Sequence, residues 1–328
     1  MGGNALTVPT RRYSAQEYGR IALDVVNKLA FKLGVKIDEC DAIPAYHNKE
    51  SFGDLDIIYS TRDDEPLSVA EVQQVFNAQQ IIKNGSVVSF DYKEFQVDLI
   101  HSKKSCYDYG LSYYSYNDLG NIGCGKLVKH FGLKHGHDGL FLPLYDEFGN
   151  KFASILLTEN HDDTLKLVGL DVNTFRKGFA ELNDIFEYVA SSPYYNPKYY
   201  LLENVNSAAR MRDKKREVYR EFLEFGKNWV GETIESHEDK SLYTESLLER
   251  FPNALEAYRS AIRDKCLDTV AKSKFNGDMV SALTGLQDKE LGNLMQILKQ
   301  DFRLKKEQVV LLPEQKIKSI ILEKFELQ

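Results

Sequence analysis

The chain has 328 residues, 43% of them hydrophobic and 28% charged, with 42 Lys and Arg against 49 Asp and Glu for a net charge of −7. This is ordinary globular usage; at about 150 residues per domain it suggests two domains, and it excludes a disordered, fibrous or polycationic chain. Any contact with nucleic acid must then come from a local basic patch. No apolar run reaches the roughly 18 residues of a membrane span, so no membrane partner is expected. The opening MGGNALTVPTRR lacks a signal-type apolar core. The cysteines at 40, 106, 124 and 266 form no CxxC pair. Neither a disulfide framework nor a zinc site is expected, and the compartment expected is the cytoplasm.

Residues 14–33 predict an amphipathic helix: Ser14 and Glu17 read as a capping box, Ile21, Ala22, Val25, Val26, Leu29 and Leu33 share a face, and Gly34 ends it. Strands are predicted at 54–60, 86–90 and 94–101, the last two joined by the turn Asp91–Tyr92–Lys93. Between them, 68–82 reads as a helix with Ser68 and Glu71 as its capping box. A short helix is expected at 120–134 and a hairpin over 140–157, turning at Phe148–Gly149–Asn150. Helical pattern dominates from 159, interrupted by SSPYYNPKYY at 191–200, where a boundary is placed. The expected organisation is a mixed α/β part over 1–190 and an all-helical part over 191–328.

The strongest chemical signal is Gly53-Asp54-Leu55-Asp56-Ile57-Ile58. Residues i and i+2 of a strand point the same way, so Asp54 and Asp56 project together while Leu55 and Ile57 face a core. Adjacent carboxylates repel unless a cation lies between them, and Mg²⁺ takes oxygen ligands and substrate phosphates. A third carboxylate, Asp98, lies in the apolar strand Gln96-Val97-Asp98-Leu99-Ile100, 42 residues after Asp56. If the two strands are neighbours, the three carboxylates suit two Mg²⁺ (or Mn²⁺) ions, a bound triphosphate and an attacking hydroxyl.

These residues resemble a known family. Lys49-Glu50-Ser51-Phe52-Gly53-Asp54-Leu55-Asp56 is similar to the palm signature of the nucleotidyltransferase superfamily, nearest its DNA polymerase beta-like branch. Phe95–Ile100 resembles that family's third-carboxylate strand, and Tyr109–Tyr114 its Tyr-Phe motif near the incoming nucleotide. Thr158-Glu159-Asn160 through Leu167–Asp171 resembles the end of its thumb, so the resemblance covers about residues 40–171. It implies an α/β (α+β) polymerase beta-like palm in which Asp54 and Asp56 bind both metals. Asp98 accepts the hydroxyl proton or holds the catalytic metal. By the same resemblance, Gly53 and Ser51 contact phosphate, and Tyr113 and Tyr114 lie near the nucleotide; Asn117 and Asp118, just after the Tyr pair, are read from that position as facing the incoming base. The chain departs from the family at Ala42–His47, where a Gly-Ser phosphate cradle is replaced and Pro44 removes an N–H. His47, Lys49 and Lys126 are candidate replacements for the missing phosphate contacts.

Weaker signals complete the reading. Gly120–Leu127 imitates a GxxxxGK phosphate loop but has Leu127 where Ser or Thr is required, and reads instead as a Gly-rich turn into the helix carrying Lys126. His135-Gly136-His137-Asp138 reads as a polar loop before a strand. Arg210, Arg212, Lys215 and Arg216, with Tyr219, form the sharpest basic cluster. On one helix, Arg212, Lys215 and Tyr219 share a face that suits phosphates and a stacked base, or equally a solvated face laced with Asp213 and Glu217. Phe275–Val280 through Met295 resembles a helical tail element of CCA-adding enzymes and poly(A) polymerases. Read from the residues alone, it is a helix pair whose glycines permit close approach. The function expected is metal-dependent transfer of a nucleoside monophosphate from a nucleoside triphosphate to a nucleic-acid 3′ end, RNA such as tRNA, without a template. The alternatives are toxin-type nucleotidylation of a protein or small molecule, and an inactive palm serving as a scaffold. The style is similar to phage-encoded or bacterial nucleotidyltransferase-like proteins, which would place the chain in a host cytoplasm if phage-encoded.

Overall fold

The computed structural model describes residues 5–327, with the side chains at 117, 118, 121, 122 and 208 outside the description. In chain order the elements are β1 (Tyr13–Ser14), α1 (Ala15–Leu33), β2 (Cys40–Ala42), β3 (Ser51–Phe52), β4 (Asp54–Tyr59), α2 (Val69–Phe76), β5 (Ile81–Asn84), β6 (Val87–Tyr92) and β7 (Phe95–His101). Then come α3 (Tyr107–Leu119), a π-helical turn at Gly120–Cys124, α4 (Gly125–Leu127), β8 (Lys134–Gly136), β9 (Gly139–Tyr145) and β10 (Lys151–Thr158). The rest is helical: α5 (His161–Leu167), α6 (Val172–Lys177), α7 (Leu182–Ala190), α8 (Ser207–Asp213), α9 (Glu217–Asn228), α10 (Thr244–Arg250), α11 (Leu255–Lys274), α12 (Gly277–Thr284), α13 (Asp288–Leu298), α14 (Lys306–Leu311) and α15 (Glu314–Glu326).

Two compact units result. One runs through Leu144 and resumes from Ser154 to Pro252; the other joins the hairpin tip Tyr145–Ala153 to Asn253–Gln328. The cut therefore falls elsewhere than 190/191. The reason lies in the aromatic side chains that follow the two prolines: Tyr195, Tyr200, Tyr219 and Phe222 are each at most 2% exposed, and Phe186 of α7 packs on Phe222. That cluster ties 191–228 to the first unit.

The main sheet has the order β2-β4-β7-β6-β5, with β4 and β7 parallel and the other pairs antiparallel. Its two faces differ along the strands. Leu55, Ile57 and Tyr59 of β4, with Phe95, Val97 and Leu99 of β7 and Val88 and Phe90 of β6, form one buried core with Ile21, Val25 and Leu29 of α1 and Val72 and Phe76 of α2. The opposite face is split. Its far half holds Ile58, Ile100 and Val87, covered by Tyr107, Leu111 and Tyr114 of α3. Its near half carries Asp54, Asp56, Gln96, Asp98 and Ser89.

Helix α1 forms as its residues predict: Ser14 and Glu17 make both capping-box bonds, and Gly34 closes the helix at φ 70°. The predicted helix 68–82 stops at Phe76. Asn77 turns left-handed at φ 51°, and Ile81–Asn84 joins the sheet against β6 instead. Ser68 precedes that helix without a side-chain cap bond, so the capping box expected there does not form. The expected helix 120–134 is irregular because its glycines pack tightly. A Cβ at Gly120 would lie 2.5 Å from the Tyr113 carbonyl oxygen, and one at Gly123 would lie 2.6 Å from Val189. The GxxxxGK look-alike is thus a close-packing device. Hairpin β9–β10 turns at Gly149, φ 78°, with Asp146 accepting from the Phe148 and Asn150 amides.

In the second unit, Val280, Leu294, Leu298, Val309, Ile317, Ile320 and Ile321 build a separate helical core. Asn276 caps α12 by accepting from the Met279 amide, and Gly285 ends it at φ 73°. A Cβ at Gly277 or Gly292 would meet nothing within 4 Å, so these glycines do not mediate a close helix approach. Among the described residues no helix is long and apolar enough to cross a membrane.

Candidate metal and nucleotide site

The parallel register of β4 and β7 pairs Asp54 with Gln96 and Asp56 with Asp98, and β6 adds Ser89 opposite Asp98. Neighbouring strands lie about 4.8 Å apart, so period-2 geometry brings the three carboxylates to one face of two adjacent strands. Asp54 opens β4, Asp56 follows two residues on, and Asp98 lies at the middle of β7, all before the apolar half covered by α3.

Asp98 is held by neighbours on its own sheet face. The Gln96 side-chain amide donates to both of its carboxylate oxygens at 3.0 Å, and Gln96 is itself only 2% exposed. The main-chain N–H of Ala5 donates to Gln96 Oε1 at 2.9 Å, fixing the amide's orientation. Burial pushes the Asp98 carboxyl up to about 6, against hydrogen bonds from Ser89 and Gln96, and the charge of Asp54 adds to the rise. A group in this position favours a nearby cation.

Several further groups face this end. Lys49 is half-buried; burial lowers its ammonium, while Asp54 and Asp56 pull it back and Arg12 opposes them. Its Nζ lies 4.6 Å from the centre of the Phe52 ring. Ser51 receives hydrogen bonds from Arg12, Nε to Oγ at 2.7 Å and Nη2 to the carbonyl at 2.8 Å. Burial raises the Tyr18 phenol, with Asp56 and Asp54 adding, and its ring stacks on Phe52 at 3.9 Å. Gly53 links β3 to β4 and is buried.

The predicted residues therefore divide. Asp54, Asp56, Asp98, Lys49, Ser51 and Gly53 come together. Tyr114 reaches the same sheet face through its contact with the Ile58–Ile100 cluster, whereas Tyr113 turns its ring to His135, 4.9 Å away. Asn117 and Asp118 lie on α3 with side chains outside those described. His47 turns toward Gly178 and Tyr116: a Cβ on Gly178 would lie 3.0 Å from its Nε2, and its amide donates to Phe179. Lys126 is 5% exposed and sits among Lys129, Asp213 and Arg212. Burial, with Lys129 adding, pushes it down to about 8 against the pull of Asp213. Its charged neighbours Arg212 and Asp213 belong to α8.

The basic cluster at 210–220 is not one helical face. The chain breaks between α8 and α9, so Arg212 ends one helix and Tyr219 lies in the next. Tyr219 is 1% exposed and its hydroxyl donates to the Tyr200 carbonyl at 2.6 Å, which corrects its expected role as a stacking platform. Arg210 donates to the carbonyls of Leu202, Glu203 and Val205. Arg212 chelates the buried Asp213, Nε to Oδ1 at 2.7 Å. Lys215 is exposed, and Arg216 occupies the N-cap position of α9 without a side-chain cap bond.

Sequence reading missed Arg12 and Gln96. Gln96 carried a signal, since it lies two residues before Asp98 on the same strand face. Arg12 carried none, because only the pairing of β1 with β3 brings it to Ser51.

The donor set, three carboxylates on one face of adjacent strands, fits a hard oxygen-preferring cation such as Mg²⁺ or Mn²⁺. Among the described residues no three His, Cys, Asp or Glu side chains are already gathered into a metal cage. Like charges keep such groups apart, and Asp98 is drawn toward Gln96.

No family model matches this chain. No curated protein matches it either. Among solved structures it is similar to Leishmania infantum polymerase beta, determined as a ternary P/T complex. The identity is 15%, the match covers 49% of this chain and 74% of that one, and the TM-score is 0.36.

Proposed function

We propose that this protein is a metal-dependent nucleotidyltransferase that moves a nucleoside monophosphate from a nucleoside triphosphate to an acceptor hydroxyl and releases pyrophosphate. The observation that carries this reading is the register of Asp56 against Asp98, with Asp54 one step earlier on the same face. Asp54, Asp56 and Asp98 would hold the ions, two of Mg²⁺ or Mn²⁺. When bound, they supply charge neutralisation at the phosphates and acidify the attacking hydroxyl.

The chain's own groups then have defined tasks. Asp98 takes the acceptor's hydroxyl proton on a carboxylate oxygen. The acceptor oxygen forms its bond to the α-phosphorus as the bond from that phosphorus to the bridging oxygen breaks, and pyrophosphate leaves. Gln96 holds Asp98 in position, so that little reorganisation is needed during reaction. The acceptor in this reading is a nucleic-acid 3′ end, used without a template. The exposed Lys214, Lys215 and Arg220 are the parts of the basic segment available to a phosphate backbone.

The test is transfer of label from each α-labelled NTP and dNTP, with RNA, single-stranded DNA and protein extract as acceptors. Transfer to nucleic acid that disappears in Asp54→Asn/Asp56→Asn supports the reading. Transfer to protein replaces the acceptor. Equal labelling by wild type and variant, or none by either, refutes it.

A further inference from the structure

We propose that Arg12 and Lys49 together form the triphosphate-binding element of this site, taking the place of a backbone cradle. The inference rests on the nucleotidyl-transfer reading and assigns the ligand class of its cationic flank: the polyphosphate of a nucleoside triphosphate.

The loop beside the carboxylates has few amides to offer an anion. The N–H groups of Ile43, His47, Asn48 and Lys49 donate to the main-chain carbonyls of Asp56, Phe179, Ala180 and Tyr46, and Pro44 has no N–H at all. A nest of backbone N–H groups, the usual means of holding phosphates, is thus largely closed here. Phosphate charge has to be met by side chains.

Two cations stand in the right place. Strand β1 pairs with β3 at Tyr13↔Phe52 and Ser14↔Ser51. One further step in that register sets Arg12 opposite Gly53, immediately before Asp54. Arg12 is exposed, and its two bonds to Ser51 engage only part of a five-donor fork. Ser51 therefore aims the guanidinium rather than neutralising it. Lys49 Nζ lies over the ring of Phe52, the residue before Gly53, 4.6 Å from its centre, and Arg12, Asp54 and Asp56 all act on its charge. An anion of high charge placed beside this Arg–Lys pair, next to the carboxylates that would hold the metal ions, gains attraction and hydrogen bonds from both side chains. Arg supplies bidentate geometry and Lys a point charge, the usual division of labour at phosphate sites.

The test is calorimetric titration of wild type, Arg12→Ala, Arg12→Lys, Lys49→Ala and, as a neighbouring control, Arg11→Ala. The titrants are a non-hydrolysable nucleoside triphosphate with Mg²⁺, the matching monophosphate, and inorganic tripolyphosphate. Thermal melts are run in parallel. Arg12→Ala and Lys49→Ala are expected to weaken triphosphate and tripolyphosphate about tenfold or more each. Monophosphate binding and melting temperature should barely move. Arg12→Lys should recover part of the loss, and Arg11→Ala should stay within about twofold of wild type. If Arg12 only ties two strands, Arg12→Ala lowers the melting temperature and leaves triphosphate affinity unchanged, which overturns the inference. Retention of label transfer with an unaltered KM in Arg12→Ala, while Asp54→Asn abolishes it, overturns this inference and leaves the transferase reading standing. Absence of any triphosphate binding by the wild type removes both.

Discussion

Two charged regions stand out in this chain, and folding treats them oppositely. The acidic residues of β4 and β7 are gathered: strand periodicity and parallel register bring three carboxylates to one face. The basic residues of 210–220 are dispersed: the helix breaks at 214–216, Arg210 satisfies carbonyls, Arg212 binds Asp213 and Tyr219 enters the core. The difference lies in the backbone. A two-residue repeat inside a strand has only one outcome for side-chain direction, whereas a three- or four-residue repeat converges only if a single helix spans it. Strand register fixes the acidic groups on one face whatever their partners, whereas the break between α8 and α9 separates the basic groups of 210–220.

The largest effect should come from the gathered region. Asp54→Asn/Asp56→Asn is expected to lower nucleotide transfer by at least about 10²–10³, as expected when the electrostatic stabilisation of a transition state is removed. Circular dichroism should show the fold retained. The dispersed region should respond in stability instead. Tyr219→Ala should destabilise the first unit by about 3–5 kcal/mol, read from the urea midpoint, because it empties a buried aromatic site. A loss of nucleic-acid affinity with no loss of stability would restore Tyr219 as a stacking group and break the comparison.

A finer test sits between the two. Gln96→Leu keeps volume and removes the amide that holds Asp98. It should weaken Mn²⁺ binding about 10–100-fold, as loss of a ligand's supporting partner does elsewhere. An unchanged metal affinity would make Gln96 a packing residue only.

How much of this was legible in the residues varies with locality. Helix α1 was, because its cap, apolar stripe and terminal glycine all lie within the segment. The carboxylate pair was, because strand direction follows from spacing alone. The end of α2 was not: nothing within 68–82 reveals that Ile81–Asn84 gains more by pairing with β6 than by continuing the helix. Arg12 was invisible for the same reason, since its partner lies 39 residues away. The pairing of Ser51 with Arg12 is a property of the sheet edge, and no local pattern carries it.

Two smaller effects lie outside both regions. His135 and His161 are buried behind α3, their rings 5.7 Å apart and each in edge contact with Tyr109. Burial pushes them down to about 4 and about 3. The unfolded chain then binds protons that the native state refuses, so stability is full above pH 6.5 and falls progressively as pH drops toward 4. Melting temperature should follow that course, and His161→Phe should flatten it. An equal slope in the variant would contradict the assignment. Smallest of all, Ser14→Ala should cost about 1 kcal/mol in chemical denaturation, because it removes one half of the capping box.

The central claim is that β4 and β7 build a cation site. Mn²⁺ titration followed by electron paramagnetic resonance, with a non-hydrolysable nucleoside triphosphate present, tests it most directly. The account predicts saturable binding by the wild type that exceeds what the nucleotide alone binds and is lost in Asp54→Asn/Asp56→Asn. Identical Mn²⁺ curves for the wild type and the variant would contradict it.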